Sequence, residues 1–383
     1  MDFDAIIVGG GLVGSSLAAS LANSGLKLAL VESSPISAEK QGWDARIYAI
    51  SPGSARFLEK CGGWGKMDKT RINPVREMRI FGDDGQSELR FSAEDVGVSE
   101  LAWILESRNL LGGLEKSIED QENLKIFRPA ACRDMVWSED SIELDLEDAR
   151  LNAKLIVGAD GARSWLRQHA GFEINPRPYN QMGVVANFEC DKPHRDTAWQ
   201  WFRKDGVLAF LPMPENRISI VWSIWTEEAE KLMADPQFSQ KVMEASNNRL
   251  GELKPMTPPQ AFPLRLMRVS SLVKPRVALV GDAAHNTHPL AGQGVNLGFR
   301  DARELSEVLI NRGPQKDCGD YHLLRKFDRA RREDILTMQS TTDMLQKLFN
   351  NELPGIPFAR NIGLRMVEGQ PWLKNALIQH ALA

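Results

Sequence analysis

Near the N-terminus two short apolar runs, residues 4–8 and 27–31, enclose Gly9, Gly11 and Gly14, and no other feature narrows the choice of fold so far. Both runs have strand character. Residues 13–24 between them carry apolar side chains at helical spacing, and Gly25 supplies a stop, so the segment predicts a βαβ unit. Glycines in the pattern G-x-G-x-x-G at such a turn form a dinucleotide fingerprint. Gly9 permits the tight turn, Gly11 lets a pyrophosphate approach the backbone, and Gly14 allows the helix to pack closely on the sheet. The helix N-terminus adds N–H donors and the positive end of its dipole. Glu32, at the end of the second strand and 18 positions after Gly14, is placed to accept from ribose hydroxyls. The fingerprint alone does not separate NAD from FAD.

The 383 residues are enough for two to three domains or one large α/β unit. Hydrophobic residues make up 43%, charged residues 26%, and 47 basic against 51 acidic side chains leave a net charge of −4. This balance fits a soluble globular protein and excludes both disorder and a nucleic-acid-binding charge excess. Cys61, Cys132, Cys190 and Cys318 are scattered without a C-x-x-C, so neither a disulfide framework nor a cysteine zinc site is expected, and a reducing cytoplasm fits best. The N-terminus shows no secretory signal, and nowhere do about 18 consecutive apolar residues occur, so a transmembrane helix is not expected. A soluble or a peripheral protein remains.

Further along, Ser51-Pro52 reads as N-cap and first helical position of a helix ending at Gly62 and Gly63. Residues 78–81 and 89–91 flank Asp84-Gly85 as a hairpin, and Ser107 is expected to cap a helix reaching about Ile118. Short β-type runs follow between residues 124 and 157, and β segments dominate residues 180–226, which predicts an inserted antiparallel sheet. A buried strand at 277–280, a glycine-rich loop and helical pattern complete the chain. There is no internal repeat.

Two later segments place an aspartate after a strand: Val157-Gly158-Ala159-Asp160-Gly161 and Val280-Gly281-Asp282-Ala283-Ala284-His285. With the N-terminal glycines they resemble, in the same order along the chain, the three signatures of the single-component flavin aromatic hydroxylases, the class A flavoprotein monooxygenases of the para-hydroxybenzoate hydroxylase fold. The resemblance covers essentially the whole chain and is strongest to the ubiquinone-biosynthesis hydroxylases. Asp44-Ala45-Arg46, Glu106-Ser107-Arg108, residues 281–301, Arg331-Arg332, Asp343, Phe349 and Arg360-Asn361-x-Gly363 carry it. Trp201 beside Phe202 departs from it, since related sequences often have Arg there. The resemblance implies that Asp282 binds a ribityl hydroxyl of FAD, that Asp160-Gly161 serves the flavin and the reduced nicotinamide, and that Arg46 and Arg108 lie along the flavin pyrophosphate or ring. A planar guanidinium suits that role because it holds anionic oxygen bidentately.

Pro289, Gly292, Gly294, Val295 and Asn296 belong to a glycine-rich stretch that opens a helix, so its N–H groups suit the anionic edge of a reduced flavin. Asp282, His285 and His288 also spell D-x-x-H-x-x-H, which admits a non-haem iron reading. The glycines around them favour the flavin, with His285 a packed, hydrogen-bonded residue. In the strand 198–202, alternation sets Trp199 and Trp201 on one face and Gln200 and Phe202 on the other, so only one pair faces a cavity. Gln200 and Phe202, with Pro212 of the Leu211-Pro212-Met213-Pro214 stretch, are the candidate substrate-pocket residues. Arg325, Lys326, Arg329, Arg331 and Arg332 are interrupted by acidic residues and read as a solvated, ion-paired helix face. Trp372, Leu373, Ala376, Leu377 and Ala381 share a helical face that docks internally or against lipid.

The expected fold is α/β, with a Rossmann-like FAD-binding domain (1–75, 100–175 and 270–312), an inserted, mostly antiparallel β-sheet substrate domain (76–99 and 176–269) and a helical C-terminal region (313–383). The resemblance implies an FAD-dependent monooxygenase that takes electrons from NAD(P)H or another external donor, reacts with molecular oxygen to a flavin C4a-hydroperoxide, and hydroxylates the aromatic ring of a polyprenylated phenol in ubiquinone biosynthesis. A polyprenyl reductase on the same scaffold and a non-catalytic flavin-binding scaffold are the competing readings. The expected setting is the cytoplasm, with peripheral contact at the inner membrane surface and membership of a ubiquinone-biosynthesis protein complex. No catalytic acid or base is assignable, and no metal is expected.

Overall fold

The computed structural model describes residues 2–35, 42–84, 87–288, 292–313, 316–349 and 370. Among them three sheets and eight α-helices form the fold. One sheet follows the order β18 (Val273–Lys274), β19 (Val277–Leu279), β11 (Arg150–Gly158), β1 (Asp2–Val8), β2 (Leu28–Val31) and β8 (Leu124–Phe127). Its central strands are parallel, and β10 (Ile142–Leu146) with β9 (Cys132–Trp137) extends it antiparallel. β1 is buried along most of its length and β2 throughout, as expected where helices cover a parallel sheet.

Helix α1 (Leu12–Ser20) follows β1 directly and packs against α3 (Ser107–Ile118) and α7 (Gly294–Ile310). α2 (Pro52–Lys60) begins as the sequence predicts: Ser51 accepts from the Ser54 N–H at 3.2 Å, and Pro52 takes the first helical position. At α3 the cap differs, because Glu106 occupies the N-cap position and Ser107 is the first helical residue. The Glu106 carboxylate turns away from that helix toward Arg71 and the Asp44 N–H.

The second sheet is the larger. β17 (Gln260–Arg268), β12 (Arg177–Cys190), β15 (Arg217–Trp225), β14 (Gly206–Met213) and β13 (Thr197–Arg203) are antiparallel neighbours. The hairpin β5 (Glu77–Phe81) and β6 (Glu88–Ser92) joins β13, while β20 (His285–Asn286) and β16 (Leu253–Pro255) add to the other side. A small sheet of β3 (Ile47–Ile50), β7 (Ala102–Glu106) and β4 (Ile72–Val75) lies between the two.

The faces of the large sheet do different things. Phe188, Trp199, Trp201, Leu208, Phe210, Ile220 and Trp222 form a core under α5 (Thr226–Ala234) and α6 (Phe238–Ala245). The opposite face meets the half that contains the parallel sheet: Ala198 and Met213 pack with Val75 and Ile104, and Asn187 donates to the Asp44 carbonyl at 2.8 Å. α4 (Trp165–His169) starts at Ser164, whose hydroxyl accepts from Arg167 N–H. α8 (Tyr321–Phe349) then spans both halves, packing on α7 and β18 at one end and on Phe202 at the other.

Candidate active site

The three glycine segments, far apart in sequence, meet because β1, β11 and β19 are neighbours. Val8 is in register with Gly158, and Gly158 with Leu279. A side chain on Gly9, at φ +106°, would stand 2.4 Å from the Ala159 carbonyl oxygen, and one on Gly14 would stand 1.9 Å from that of Gly9. Both positions exclude any Cβ. A Cβ on Gly11 would meet nothing within 4 Å. The first two glycines therefore serve the protein's own packing, while Gly11 borders open space at the N-terminus of α1, where a pyrophosphate needs it.

Glu32 stands beside this turn and accepts from the Gly10 and Ser34 N–H groups, each at 2.7 Å. Burial pushes its carboxyl up, but those hydrogen bonds and nearby Arg128 outweigh it and hold Glu32 below the usual carboxylate range. Oε2, which accepts only from Gly10, keeps a lone pair for a ribose hydroxyl. Asp160 accepts from the Leu166 N–H at 3.0 Å through one oxygen, and its other oxygen is buried without a partner. Arg167 joins the second segment to the third by donating to the carbonyls of Ala162 and Ala283, both at 2.9 Å. No sequence motif marked Arg167, whose role depends on that long-range contact.

Asp282 is exposed, between the buried Gly281 and Ala283. Desolvation raises its pKa, against the attraction of His285 and Arg46. Arg46 thus lies near Asp282, together with Tyr48, a residue that sequence reasoning passed over and whose hydroxyl burial drives up in pKa. Arg108 donates to the Gly42 carbonyl at 3.1 Å and sits 3.7 Å from Asp44.

At the opening of α7 the first intrahelical bond runs from Leu297 N–H to the Gln293 carbonyl, leaving the N–H groups of Gly294, Val295 and Asn296 ahead of the ladder. Gly292 adopts φ +59°. The Asn296 side chain, expected at the flavin, is committed to the protein instead: it accepts from Ser51 N–H at 3.0 Å and donates to the Ala49 carbonyl at 2.9 Å. Asn296 thereby ties α7 to β3 and α2, and what remains for a ligand is its backbone. Pro289 lies outside the described residues.

Beneath this loop is a fully buried carboxylate. Asp301 accepts from Gly281 N–H at 2.9 Å, from His285 Nε2 at 2.6 Å and from Arg331 Nε at 2.8 Å. Burial raises its pKa, yet His285 and Arg331 prevail and keep it below the ordinary range. His285 is thus the packed, hydrogen-bonded residue expected. Arg331 corrects the reading of a uniformly solvated basic face: it is 5% exposed and joins α8 to the flavin-side loop. His288 Nε2 meets Gln181, and no cluster of three or more His, Cys, Asp or Glu that could hold a metal ion occurs among the described residues.

The large sheet decides between the two pairs of its aromatic strand. Trp199 and Trp201 enter the core, so Gln200 and Phe202 face the flavin-side half, Phe202 against Val207, Leu345 and Leu348. Pro212 corrects the third substrate-pocket assignment. It alternates with Leu208 and Phe210 and is in register with Ile218, which puts it on the core face. Its neighbours Leu211 and Met213 take the inner face instead. Sequence reasoning also missed Gln181, Asn187 and Ser219, inner-face residues with buried polar atoms lacking partners.

These residues suit FAD. Open space at Gly11, the orphaned oxygen of Asp160, the exposed carboxylate of Asp282 and the N–H groups ahead of the α7 ladder have the chemistry that pyrophosphate, ribityl chain and ring edge require.

Comparison with known proteins gives the same direction. The family described as FAD binding domain matches residues 2–334. The 3-demethoxyubiquinol 3-hydroxylase of Escherichia coli K12 is 34% identical over 98% of this chain and 97% of its own length. Ubiquinone hydroxylase UbiL of Rhodospirillum rubrum is 33% identical over 99% of this chain and 89% of its own. Among solved structures, p-nitrophenol 4-monooxygenase PnpA of Pseudomonas putida DLL-E4 superposes with a TM-score of 0.81 at 17% identity, covering 100% of this chain and 99% of its own. Klebsiella pneumoniae HpxO complexed with FAD and uric acid superposes with a TM-score of 0.74 at 18% identity, covering 100% and 97%.

Proposed function

Because this chain belongs to the FAD binding domain family, among the ubiquinone hydroxylases, we propose that its substrate is a phenolic ring bearing a polyprenyl tail, hydroxylated as an intermediate of ubiquinone biosynthesis. The protein is an FAD-dependent ring hydroxylase. The observation that supports the substrate reading is the inner face of the large sheet, where Gln181 and Gln200 lie opposite the Trp199–Trp201 core and Phe202 and Val207 pack with Leu345 and Leu348 of α8 as an apolar wall.

FAD, when bound, supplies the redox chemistry, passing electrons from reduced nicotinamide or another donor to molecular oxygen and delivering one oxygen atom to the ring. The chain's own part is binding, orientation and exclusion of water. Gly11 and the α1 N-terminus take the pyrophosphate, Glu32 the ribose and Asp282 the ribityl chain. Arg46 and Arg108 lie along the cofactor, Asp160 serves it from the second segment, and the N–H groups of Gly294, Val295 and Asn296 stabilise negative charge at the ring edge. Gln200 and Phe202 wall the substrate from the sheet side.

No helix among the described residues is long and apolar enough to cross a membrane. A long isoprenoid is insoluble in water, so the enzyme meets it peripherally, at the membrane surface or through partner proteins of the same pathway. The test is turnover of a polyprenylated phenol under ¹⁸O₂ with a reduced nicotinamide. One labelled oxygen on the ring is the expected result. Saturation of a tail double bond without label marks a reductase, and absence of turnover in the presence of donor and substrate marks a scaffold.

A further inference from the structure

Two buried polar side chains at the junction of the large sheet, the loop after β19 and α8 each keep one polar atom unpaired within the protein. His288 is 1% exposed and Gln181 2%. His288 Nε2 lies 3.2 Å from Gln181 Oε1, which also receives the Gln346 amide at 3.4 Å. An amide oxygen only accepts, so Nε2 carries the imidazole hydrogen and Nδ1 presents a bare lone pair. That Nδ1 is buried without a partner, and so is the Gln181 amide nitrogen with its two N–H donors. Burial pushes the His288 pKa down to about 4, against the pull of Asp343, so the ring stays a neutral acceptor near neutral pH. Tyr179 fixes the ring edge-on at 5.0 Å, its own hydroxyl donating to Asp343 at 3.1 Å.

An acceptor and a donor, joined to each other and both left unsatisfied, ask for one group able to donate and accept at once. A hydroxyl is such a group. The surroundings point to a ligand and not to a single packing flaw: Thr287 Oγ1, Asn286 Oδ1 and Gln293 Oε1 on the adjoining loop are also buried without partners. Gln181 shares the sheet's inner face with Gly183, Val185 and Asn187 by alternation along β12.

We infer that His288 and Gln181 form the subsite for a ring hydroxyl of the substrate, the hydroxyl donating to His288 Nδ1 and accepting from Gln181 Nε2. The subsite rests on the reading of the substrate as a phenol. It requires no proton transfer, and it makes recognition of the hydroxyl a property of these two side chains, separate from the residues that bind FAD.

The test compares 2-prenylphenol with prenylbenzene, which lacks the hydroxyl, by the shift each produces in the flavin absorbance of the FAD-loaded protein. A site built to hydrogen-bond a hydroxyl rejects the analogue without it, so the wild-type protein is expected to prefer the phenol by about tenfold or more. His288→Phe is expected to retain FAD and to lose that preference, while His288→Asn, which restores an acceptor, regains part of it. Should His288→Phe fail to hold FAD, Gln181→Leu carries the same comparison with the same expected loss. A wild-type protein without preference, or variants that keep it, overturns the subsite. A wild-type protein that binds neither compound overturns the phenol reading and the subsite with it.

Discussion

At the scale of single residues, the glycines of the fingerprint separate into two kinds. Gly14 has the Gly9 carbonyl where its Cβ would be, whereas Gly11 has open space and an extended backbone, φ −74° and ψ −169°, that any residue adopts. Gly14→Ala is therefore expected to destabilise the apoprotein by on the order of 3 kcal/mol, as overpacking does. Gly11→Val is expected to leave apoprotein stability nearly unchanged while weakening FAD binding at least tenfold. Denaturant titration of apoprotein with flavin-fluorescence titration checks both, and equal behaviour of the two variants would contradict the division. The motif was legible from spacing alone, but this difference was not, since both are simply glycine in the sequence. Asn296 shows the same limit: its neighbours promise a ligand contact, while its partners Ser51 and Ala49 lie about 245 residues away.

Among elements, the junction of α7, α8 and the loop after β19 depends on one carboxylate. Asp301 on α7 holds the Gly281 N–H, His285 and the α8 residue Arg331, which also reaches Asp334 at 2.6 Å. Removing one partner of such a buried set strands the others without compensation, at a cost of about 3–5 kcal/mol. Asp301→Ala is accordingly expected to lower the melting temperature and to release FAD more readily, because Gly281 immediately precedes Asp282. Differential scanning calorimetry and flavin retention on a desalting column measure the two effects. A stable variant that keeps its flavin would show that α8 is not a support of the cofactor loop. The helical character of α8 was legible in its spacing, but the buried place of Arg331 was hidden within a run of cations that otherwise reads as a solvated face.

For the molecule as a whole, the proposed polyprenylated substrate has to reach the cofactor from a membrane or a partner protein, because its tail is insoluble in water. Trp372 and Leu377 lie outside the described residues, and their shared helical face is an expectation from spacing. Truncation after Gly369 is expected to impair turnover of a long-tailed phenol in detergent or vesicles more than it weakens FAD binding. Full activity on the tailed substrate after truncation would remove the membrane-contact role from this segment.

The sequence by itself determined the features that depend on local geometry. Turn glycines, the Ser51-Pro52 cap, strand alternation and the order of three strand-to-loop motifs are set by backbone sterics and hydrogen bonding within a few residues, so spacing reports them directly. Which face of an alternating strand turns inward is decided by what covers it. Only the tertiary structure put Trp199 and Trp201 under α5 and α6, sent Pro212 to the core face and left Gln200 and Phe202 toward the flavin side. Pairs such as Gln181 with His288 and Asp301 with Arg331 likewise exist only in the folded chain, because burial raises the cost of an unpaired polar atom and the partner that meets that demand comes from whichever segment the sheets bring alongside.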